Sequence, residues 1–344
     1  MKGRGKKMNK RLMKSILLIF LMLMIAMLTG CMGTENEPEE DVAYYYDEEE
    51  DVCEFEELYG PFAPEMWVIE DEETGNKIYL FGSIHLGIPE MFPLPERVLQ
   101  AFEDSDVLAV ETDTRPLATN MEFASLQLEL LTFQDGTTLR DNISEDDLTE
   151  LRSIGNRFGV PIRPNSIFTP QTYLMQIATA AWEYIGFSGD YGIEAFLMGE
   201  ADRRRMEIVD IEDAFESFRL AIEVSEEVQD FILMSELASF GDEELMKESL
   251  ELLFRSWVNG TIDLYYEAMY EAVYEWHGEE GLLLYLEYME GLIYLRNIIM
   301  AERAVEFLES GDAYFFVVGV LHFPGEDGVI QLLRDKGFNV ERVI

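Results

Sequence analysis

Two of the three histidines in this 344-residue chain occur in the same local pattern. His85 ends "FGSIH" and His322 ends "VGVLH", so the sequence contains two Gly-x-x-His motifs that each follow an apolar run. An imidazole can bind a divalent metal or transfer a proton near neutral pH. Because so scarce a residue type is repeated in matched contexts near opposite ends of the chain, the pattern predicts one site shared by both histidines.

The segments that precede the chemical residues have the pattern of buried β-strands. The runs "KIYLFGSI" and "YFFVVGVL" are short, apolar and rich in β-forming residues, and a histidine follows each. Two further predicted strands, "DVLAVE" and "RMEIVDIE", end at Glu111 and Glu212. Ligands of open parallel sheets bind outside the carboxyl ends of the strands. We therefore expect these two carboxylates and the two histidines to converge at one edge of a sheet.

Helical patterns between the predicted strands define the fold class. The segments "PERVLQAFEDS" and "EDGVIQLLRDKG" have the length of strand–helix–strand crossovers, which favour parallel strands. A long helical stretch with apolar residues at helical spacing separates the two ends of the chain. The sequence thus predicts an α/β domain over residues 64–344. Its mainly parallel sheet is built from N- and C-terminal βαβ units, and a helical insertion at about 120–310 forms a cap.

Three other residues in and around these motifs have predicted local roles. Gly82 and Gly319, three positions before the histidines, are expected to let the backbone turn sharply or admit a ligand closely. The third histidine, His277 in "YEWHGEEG", is expected to act only as a C-terminal helix cap.

The first part of the chain has the composition of a targeting segment. Basic residues precede the apolar run "ILLIFLMLMIAML", which is too short to span a membrane but fits a signal peptide over residues 1–30. The following "LTGC" resembles the bacterial lipobox, which implies lipidation of Cys31 and anchoring at the extracytoplasmic side of a bacterial membrane, in the cell envelope. Residues 31–63 are strongly acidic and are predicted to form a disordered tether.

The charge and cysteine content exclude some functions. A formal net charge of −44 argues against nucleic acid as a partner, because phosphate binding needs a basic surface. Apart from Cys31 the chain contains only Cys53, so no intramolecular disulfide framework is expected and the fold must depend on its core.

Several blocks of the sequence resemble the TraB/GumN family, which includes the Tiki metalloproteases and the bacterial pheromone-shutdown proteins. The resemblance covers roughly residues 65–344 and lies in "FGSIHLG", "VLAVETD", "VDIEDAFESF", "LRNIIMAE" and "VVGVLHFPGEDGVIQLLRDKGFNVERV". It implies that His85, Glu111 and His322 bind a divalent metal. Manganese or cobalt is the metal implied first, and zinc remains open.

The resemblance also indicates residues beside the metal ligands. Glu194 in "YGIEAFL" occupies a position where the family often has aspartate, so the carboxylate is one carbon longer here. Arg296 in "LRNIIMA" could hold a substrate carboxylate or a developing oxyanion, or could pair with a nearby acid. Glu212 could serve as general base or as a further ligand. Either Glu194 or Glu212 would move the proton.

These features support more than one function. The first is a lipid-anchored, divalent-metal-dependent hydrolase, a peptidase acting on peptides or proteins outside the cytoplasmic membrane. The second is a non-catalytic lipoprotein that binds or sequesters peptides, as in pheromone shutdown. The third follows a more distant likeness to domains of the erythromycin-esterase and ChaN type, which work without metal or bind haem. The substrate and the oligomeric state stay open.

Overall fold

The computed structural model describes residues 50–71 and 75–343. A six-stranded sheet has the order β4-β3-β5-β2-β1-β6. Its strands are β1 (Met66–Glu70), β2 (Lys77–Ser83), β3 (Val107–Val110), β4 (Glu207–Asp210), β5 (Tyr314–Gly319) and β6 (Val340–Arg342). The mixed, mostly parallel sheet confirms the α/β prediction.

The described residues contain thirteen α-helices by our numbering. In chain order they are α1 (Glu50–Tyr59), α2 (Glu96–Glu103), α3 (Met121–Leu131), α4 (Leu139–Asn142), α5 (Glu145–Arg157), α6 (Pro170–Tyr184), α7 (Ile193–Arg204), α8 (Ala214–Ile222), α9 (Glu226–Gly241), α10 (Glu243–Val258), α11 (Ile262–Met289), α12 (Leu295–Ser310) and α13 (Val329–Asp335). Most of them lie between β3 and β5 in sequence. One apolar core is shared by these helices and one face of the sheet, and a second core lies between the other face and α12 and α13.

The four strands that precede the chemical residues are parallel neighbours. Strand β5 pairs in parallel with both β2 and β3, and β3 pairs in parallel with β4. Val317 on the central strand β5 is in register with Phe81 of β2 and Val110 of β3. The apolar side chains of β3 and β5 are buried, as expected for central strands of a parallel sheet. The carboxyl ends of these strands therefore lie side by side.

Strand β1 was not predicted and adds an antiparallel element. It pairs antiparallel with both β2 and β6. Met66, Trp67 and Ile69 of this strand are buried, and Glu70 at its end is exposed. The last predicted strand, "FNVERVI", is thus present as β6, where it forms an edge of the sheet beside β1.

The folded part begins earlier than the sequence predicted. Within the segment 31–63, expected to be a disordered tether, residues Glu50–Tyr59 form α1. Phe55 is buried and its ring lies 5.0 Å from the ring of Phe62 and 6.4 Å from that of Phe254 on α10. These aromatic contacts outweigh the unfavourable acidic composition of the segment. Residues 1–49, with the predicted signal peptide and Cys31, lie outside the described residues.

The long helix α11 and the turn after it depart from regular α-helical geometry. Gly278 has φ 67° and ψ −162° within α11, so the helical path breaks directly after His277, at the position where a helix end was expected. The ring of His277 lies 5.0 Å from the ring of Phe231 on α9. A π-helical turn, Glu290–Tyr294, joins α11 to α12. Within the described part of the chain, no helix combines the length and apolarity that a membrane crossing requires.

Candidate metal and catalytic site

The carboxyl edge of the parallel strands positions four of the predicted residues. Along this edge, Glu212 follows β4, Glu111 follows β3, His322 follows β5 and His85 follows β2. Two backbone hydrogen bonds continue the β3–β4 pairing past the strand ends and hold the backbone of Glu111 next to that of Glu212. Ile211 N–H donates to the Val110 carbonyl at 2.8 Å, and Glu212 N–H donates to the Glu111 carbonyl at 3.0 Å.

His85 is paired with the carboxylate of Glu194. The His85 Nδ1 lies 2.8 Å from Glu194 Oε1, and the Ser83 hydroxyl donates to the same oxygen. The imidazole is mostly buried, with 14% of its side chain exposed. Burial alone would lower the pKa of His85, but the charge and hydrogen bond of Glu194 raise it to about 9. Without a ligand on Nε2, this imidazole is therefore held as a cation.

Close backbone contacts bring Glu194 to His85. Glu194 is in the first turn of α7, where the helix dipole favours an acid. Ile193 N–H donates to the Ile84 carbonyl at 3.0 Å. A β-carbon added to Gly192 would lie 2.3 Å from the His85 carbonyl oxygen, and one added to Gly87 would lie 2.2 Å from a backbone oxygen of Tyr191. Glycine is required at both positions for α7 to start against this loop.

His322 is fully buried and has a neutral partner. Its Nδ1 lies 2.6 Å from Asn297 Oδ1, while Asn297 Nδ2 donates to the Asp327 carbonyl at 2.8 Å. That second bond fixes the orientation of the amide, so Oδ1 must accept and the His322 Nδ1–H must donate. Nε2 then carries a lone pair. Burial and the nearby Arg296 charge lower the pKa of His322 to about 3, so the ring is neutral.

Glu111 lies at the centre of the polar cluster. Its Oε1 accepts the Gly319 N–H and lies 3.8 Å from His322 Nε2, and its Oε2 accepts from Arg296 at 2.9 Å. Burial would raise the pKa of Glu111, but the Arg296 charge, both histidines and the Gly319 bond lower it to about 2. Glu111 is therefore an ionised carboxylate in a buried environment.

Arg296 joins Glu111 to Glu212 and is 1% exposed. The Arg296 Nε donates to both Glu212 oxygens at 3.0 Å, and its Nη2 donates to Glu212 Oε2 at 2.6 Å. Burial, opposed by the Arg296 charge, leaves the pKa of Glu212 raised. The two acids together hold the pKa of Arg296 above its usual range against the effect of burial. Of the two roles left open for Arg296, the geometry shows pairing with nearby acids.

All six predicted residues thus lie in one connected cluster, but in two parts. One ligand atom from each of His85, Glu111 and Glu194 lies within 4.8 Å of the others, and Glu111 is buried while His85 and Glu194 are half-buried. His322 joins this set through Glu111. The Glu212 side chain is joined to that of Glu111 by Arg296, and Glu212 follows β4, which β3 and β5 separate from β2.

The two motif glycines act differently from what the sequence suggested. A β-carbon on Gly82 would lie 2.8 Å from Val320 Cγ2, so this glycine makes room for the other Gly-x-x-His motif. Its carbonyl also accepts the Trp257 indole N–H at 2.8 Å. Gly319 contributes its N–H to Glu111.

Sequence reasoning missed Ser83 and Asn297. Both are at most 1% exposed, and each orients a member of the cluster through a hydrogen bond. Asn297 had a detectable signal, because it follows Arg296 as the second polar residue within the apolar segment "GLIYLRNIIMA". Ser83 had none beyond its place at the end of a strand.

The donor set fits a divalent metal ion. His85 Nε2 and His322 Nε2 are buried and have no hydrogen-bond partner among the described residues, while the Nδ1 of each ring is fixed by an acceptor. Histidines that bind metals show this division of roles. Two imidazoles with a carboxylate form a set that suits first-row divalent metals. His85, Glu111 and Glu194 each offer a ligand atom within 4.8 Å of the others, and His322 Nε2 lies 3.8 Å from Glu111 Oε1, so the residues that would hold an ion include Glu194 beside the predicted His85, Glu111 and His322.

Comparison with known proteins gives the family of the chain. The sequence is 31% identical to "Uncharacterized protein YbaP" of Escherichia coli (strain K12) over 145 residues, which cover 41% of this chain and 50% of that protein. The YbaP protein of Shigella flexneri matches with the same identity and coverage. The aligned part thus spans about half the length of the curated relatives. No solved structure matches significantly. The family model of the TraB/PrgY/gumN family matches residues 65–342, which include the whole sheet and every residue of the cluster, and on this basis the chain belongs to that family.

Proposed function

We propose that this protein is a divalent-metal-dependent hydrolase whose substrates are peptides or proteins. One observation supports the metal above all others. Both histidines have a buried Nε2 without a partner, and both have Nδ1 fixed by an oxygen acceptor. A buried polar atom without a partner costs about 1–3 kcal/mol, so two such atoms beside one ionised carboxylate favour a bound ligand between them.

The ion would supply Lewis-acid chemistry: it would polarise a substrate carbonyl and lower the pKa of a water molecule. The predicted ligands His85, His322 and Glu111 have a formal charge of −1, from Glu111, when both imidazoles are neutral. His85 must lose its Nε2 proton to bind, so a metal would replace that proton while Nδ1–H continues to donate to Glu194. Manganese, cobalt and zinc are all compatible with this donor set.

Glu194 is the residue we assign to proton transfer. Its Oε1 is engaged by His85 and Ser83, whereas none of the described residues hydrogen-bonds to its Oε2. The side chain is 15% exposed, so a substrate could reach the free oxygen. Glu212 is less suited to this role because the Arg296 guanidinium occupies both of its oxygens.

Arg296 serves this function through Glu111. Fully buried and bonded to two carboxylates, it keeps Glu111 ionised and fixes Oε2, which leaves Oε1 directed toward His322. It is a positioning residue in this proposal. Its Nη1 donates to the Leu292 carbonyl at 3.2 Å and the side chain is 1% exposed, so a substrate oxyanion would have no direct access to it.

The resemblance to the Tiki metalloproteases supports peptides as substrates. The first test is elemental analysis of the full-length chain purified without a histidine tag, followed by cleavage of a peptide library with added manganese, cobalt or zinc. We expect about one divalent ion per chain, lost in both His85→Ala and His322→Ala, and metal-dependent cleavage of at least one peptide. Glu290→Gln on the exposed π-helical turn is the matched control. Stoichiometric metal with no cleavage would favour the peptide-sequestering alternative, and haem absorbance would favour the third.

We also propose that the protein is anchored by lipid at Cys31, outside the cytoplasmic membrane. The basic start, the short apolar run and "LTGC" in the sequence support this location. The test is membrane fractionation with a labelled fatty acid. Incorporation of label and membrane retention should both be lost in Cys31→Ser and kept in Cys53→Ser. If the wild-type protein incorporates no labelled fatty acid, the proposal is contradicted.

A further inference from the structure

A buried acid in the helical part of the molecule takes no part in the cluster at the strand ends. Glu236 lies in the second half of α9 and is 1% exposed. Neither of its carboxylate oxygens has a hydrogen-bond partner among the described residues. Fully buried acids are almost always paired, because an isolated charge or an unsatisfied polar group in the interior is costly. Glu236 therefore requires a partner that the described residues do not supply.

The electrostatic surroundings of Glu236 differ from those of the buried acids in the cluster. The charge of Arg296 acts against burial on the pKa of both Glu111 and Glu212. At Glu236, burial raises the pKa well above its usual range, and no basic side chain of the described residues opposes it. This acid thus has no protein cation beside it, and a proton and an external cation would compete for its carboxylate.

Two serines on the same helix also have unsatisfied hydroxyl groups. Ser235 and Ser239 are at most 6% exposed, and the described part of the chain offers neither hydroxyl a hydrogen-bond partner. Other buried helical serines satisfy themselves: the hydroxyls of Ser217 and Ser249 each donate to the carbonyl four residues earlier, at 2.8 and 2.9 Å. Ser239 follows Glu236 by three residues, so both side chains lie on one face of α9. The Ser239 hydroxyl is therefore available to a ligand of Glu236.

Both halves of α11 bring a tyrosine to this acid. The rings of Tyr270 and Tyr285 lie 5.4 Å apart, whereas a continuous helix would separate these positions by about 22 Å. The chain thus turns back at the break within α11, and its two halves lie side by side. Burial, and with it the charge of Glu236, raises the pKa of both Tyr265 in the first half and Tyr288 in the second. Glu236 therefore lies where α9 meets α11.

Three of these groups form a set of oxygen ligands. Tyr265 is 2% exposed, and its hydroxyl has no hydrogen-bond partner within the described ranges. With the Glu236 carboxylate and the Ser239 hydroxyl, it makes a buried set that contains oxygen donors only. Oxygen ligands of this kind suit hard cations. The single carboxylate balances one positive charge, whereas a divalent ion would leave an unbalanced charge in the interior.

From these features we propose that Glu236, Ser239 and Tyr265 form a site for a monovalent alkali cation between α9 and α11. The ion would satisfy the carboxylate and the two hydroxyl oxygens together and would join the two helices. The site is distinct from the proposed divalent-metal centre at the strand ends. It does not depend on the proposed hydrolase activity.

The stability of the full-length chain in different salts tests for such an ion. Thermal unfolding is measured at pH 8 with EDTA neutralised by Tris, in sodium, potassium or choline chloride at one ionic strength. Choline is too large for a buried site and controls for general salt effects. We expect sodium or potassium to raise the melting temperature saturably, by roughly 2–4 °C at tenfold its Kd. Equal melting temperatures in all three salts would overturn the proposal, because a proton and water would then satisfy Glu236.

Substitution of the acid tests the location of the ion. Glu236→Gln keeps the shape of the side chain and removes its charge, so the difference between the alkali salts and choline should disappear. Glu227→Gln removes an exposed acid from the same helix and should leave that difference unchanged. Circular dichroism checks that both variants are folded. A salt difference that persists in Glu236→Gln would assign the cation to another place and overturn the proposal.

A pair of serine variants gives a second measurement that leaves the buried acid in place. Ser239→Ala should raise the cation concentration that gives half of the stabilisation by roughly tenfold, because one ligand oxygen is lost. Ser249→Ala is the matched control, since this buried hydroxyl donates within its own helix and should leave the half-saturating concentration unchanged. Tyr265→Phe, which keeps the ring, should act like Ser239→Ala. The same half-saturating concentration in the wild type, Ser239→Ala and Tyr265→Phe would also overturn the proposal.

Discussion

The two Gly-x-x-His motifs place the same side chain in opposite electrostatic surroundings. His85 is partly exposed and lies beside the Glu194 side chain, whose charge and hydrogen bond raise the pKa of His85 to about 9. His322 lies in the interior beside an amide and a guanidinium, which together with burial lower its pKa to about 3. The local sequence pattern fixes where an imidazole is placed relative to its strand. The protonation of each imidazole is determined by residues of α7 and α12, which come from distant parts of the chain.

In the proposed metal site, this difference would give the two histidines different roles in binding the ion. His322 is ready to bind because its Nε2 already has a lone pair, whereas His85 must first release a proton. Metal binding would therefore be coupled to proton release from one side of the site only. Substitutions at each histidine and at its Nδ1 partner test this difference.

The largest contrast should appear in stability without metal. His322→Ala removes a fully buried ring and leaves Asn297 Oδ1 without its donor, so we expect a loss of about 3 kcal/mol in the free energy of unfolding. At pH 9, where the charge of His85 no longer adds to stability, His85→Ala should cost about 1 kcal/mol, because this ring is partly exposed and Glu194 keeps the Ser83 bond. Urea unfolding in EDTA measures both. Equal losses would show that the two environments differ less than the structure indicates.

The second contrast concerns metal affinity when the Nδ1 partners are changed. Asn297→Ala should weaken metal binding by about 10- to 100-fold, because the His322 ring would lose the bond that fixes its tautomer. Glu194→Gln keeps an acceptor for His85 Nδ1 and should weaken binding less, by about tenfold or below. Competition with a chelating dye gives both constants. Asn339→Ala, at an exposed position near the C-terminus, serves as control. The opposite ranking would contradict the role given to Asn297.

The third contrast is the pH dependence of stability in the metal-free protein. Because the folded-state pKa of His85 is raised from 6.5 to about 9, its contribution is fully present below pH 6.5 and is lost as the pH rises toward 9. His322 has the reverse effect: its pKa is lowered from 6.5 to about 3, so stability falls as the pH drops below 6.5. Each slope is at most about 1.4 kcal/mol per pH unit.

Glutamine variants show which histidine causes each change of the unfolding free energy with pH. The difference in unfolding free energy between the wild type and His85→Gln should shrink as the pH rises from 6.5 to 9. In His322→Gln, the unfolding free energy should no longer fall with pH through the His322 effect below pH 6.5. Urea unfolding across this range provides the comparison. A slope that stays after the corresponding substitution would reassign it to another group.

The smallest effect concerns the contact between the motifs themselves. Gly82→Ala places a β-carbon 2.8 Å from Val320 Cγ2 and should destabilise the protein by about 1–3 kcal/mol. Val320→Ala removes that methyl group, so the double variant should recover about 1 kcal/mol relative to the sum of the single changes. A double-mutant cycle by thermal unfolding measures this coupling. Strict additivity would show that the backbone shifts to relieve the clash.

Much of the sheet could be predicted from the sequence because its signals are local. The strands before His85, Glu111 and His322 are continuous apolar runs, and parallel pairing brings their ends together. Strand β1 was missed because its five residues lie between acidic segments and its antiparallel pairing depends on β6 at the far end of the chain. Helix α1 was missed because acidic composition concealed the aromatic contacts of Phe55.

The residues of the site could be predicted more readily from the sequence than the hydrogen bonds and ion pairs between them. The sequence identified all six side chains of the cluster, yet whether Arg296 contacts a substrate or internal acids depends on the packing of α12 against the sheet. The same holds for Ser83 and Asn297, whose roles exist only once α7 and α12 have docked. The π-helical turn before α12 has no sequence signature of its own. Its Gly291 allows the Leu220 carbonyl to approach, since a β-carbon there would lie 2.2 Å from that oxygen.

The pairing of β1 with β6 has a consequence for the order of folding. The first and last strands of the sheet are joined by Val343 N–H, which donates to the Met66 carbonyl at 2.8 Å, and β5 separates β2 from β3. The central sheet therefore cannot assemble until the last strands have been synthesised, whereas the helices between β3 and β5 can pack among themselves earlier. For the same reason the start of β1 and the end of β6 are close enough in space to be joined by a short linker. A circular permutant opened at the exposed turn around Gly136 would then make β5, β6, β1, β2 and β3 continuous in sequence, and should fold faster than the natural order.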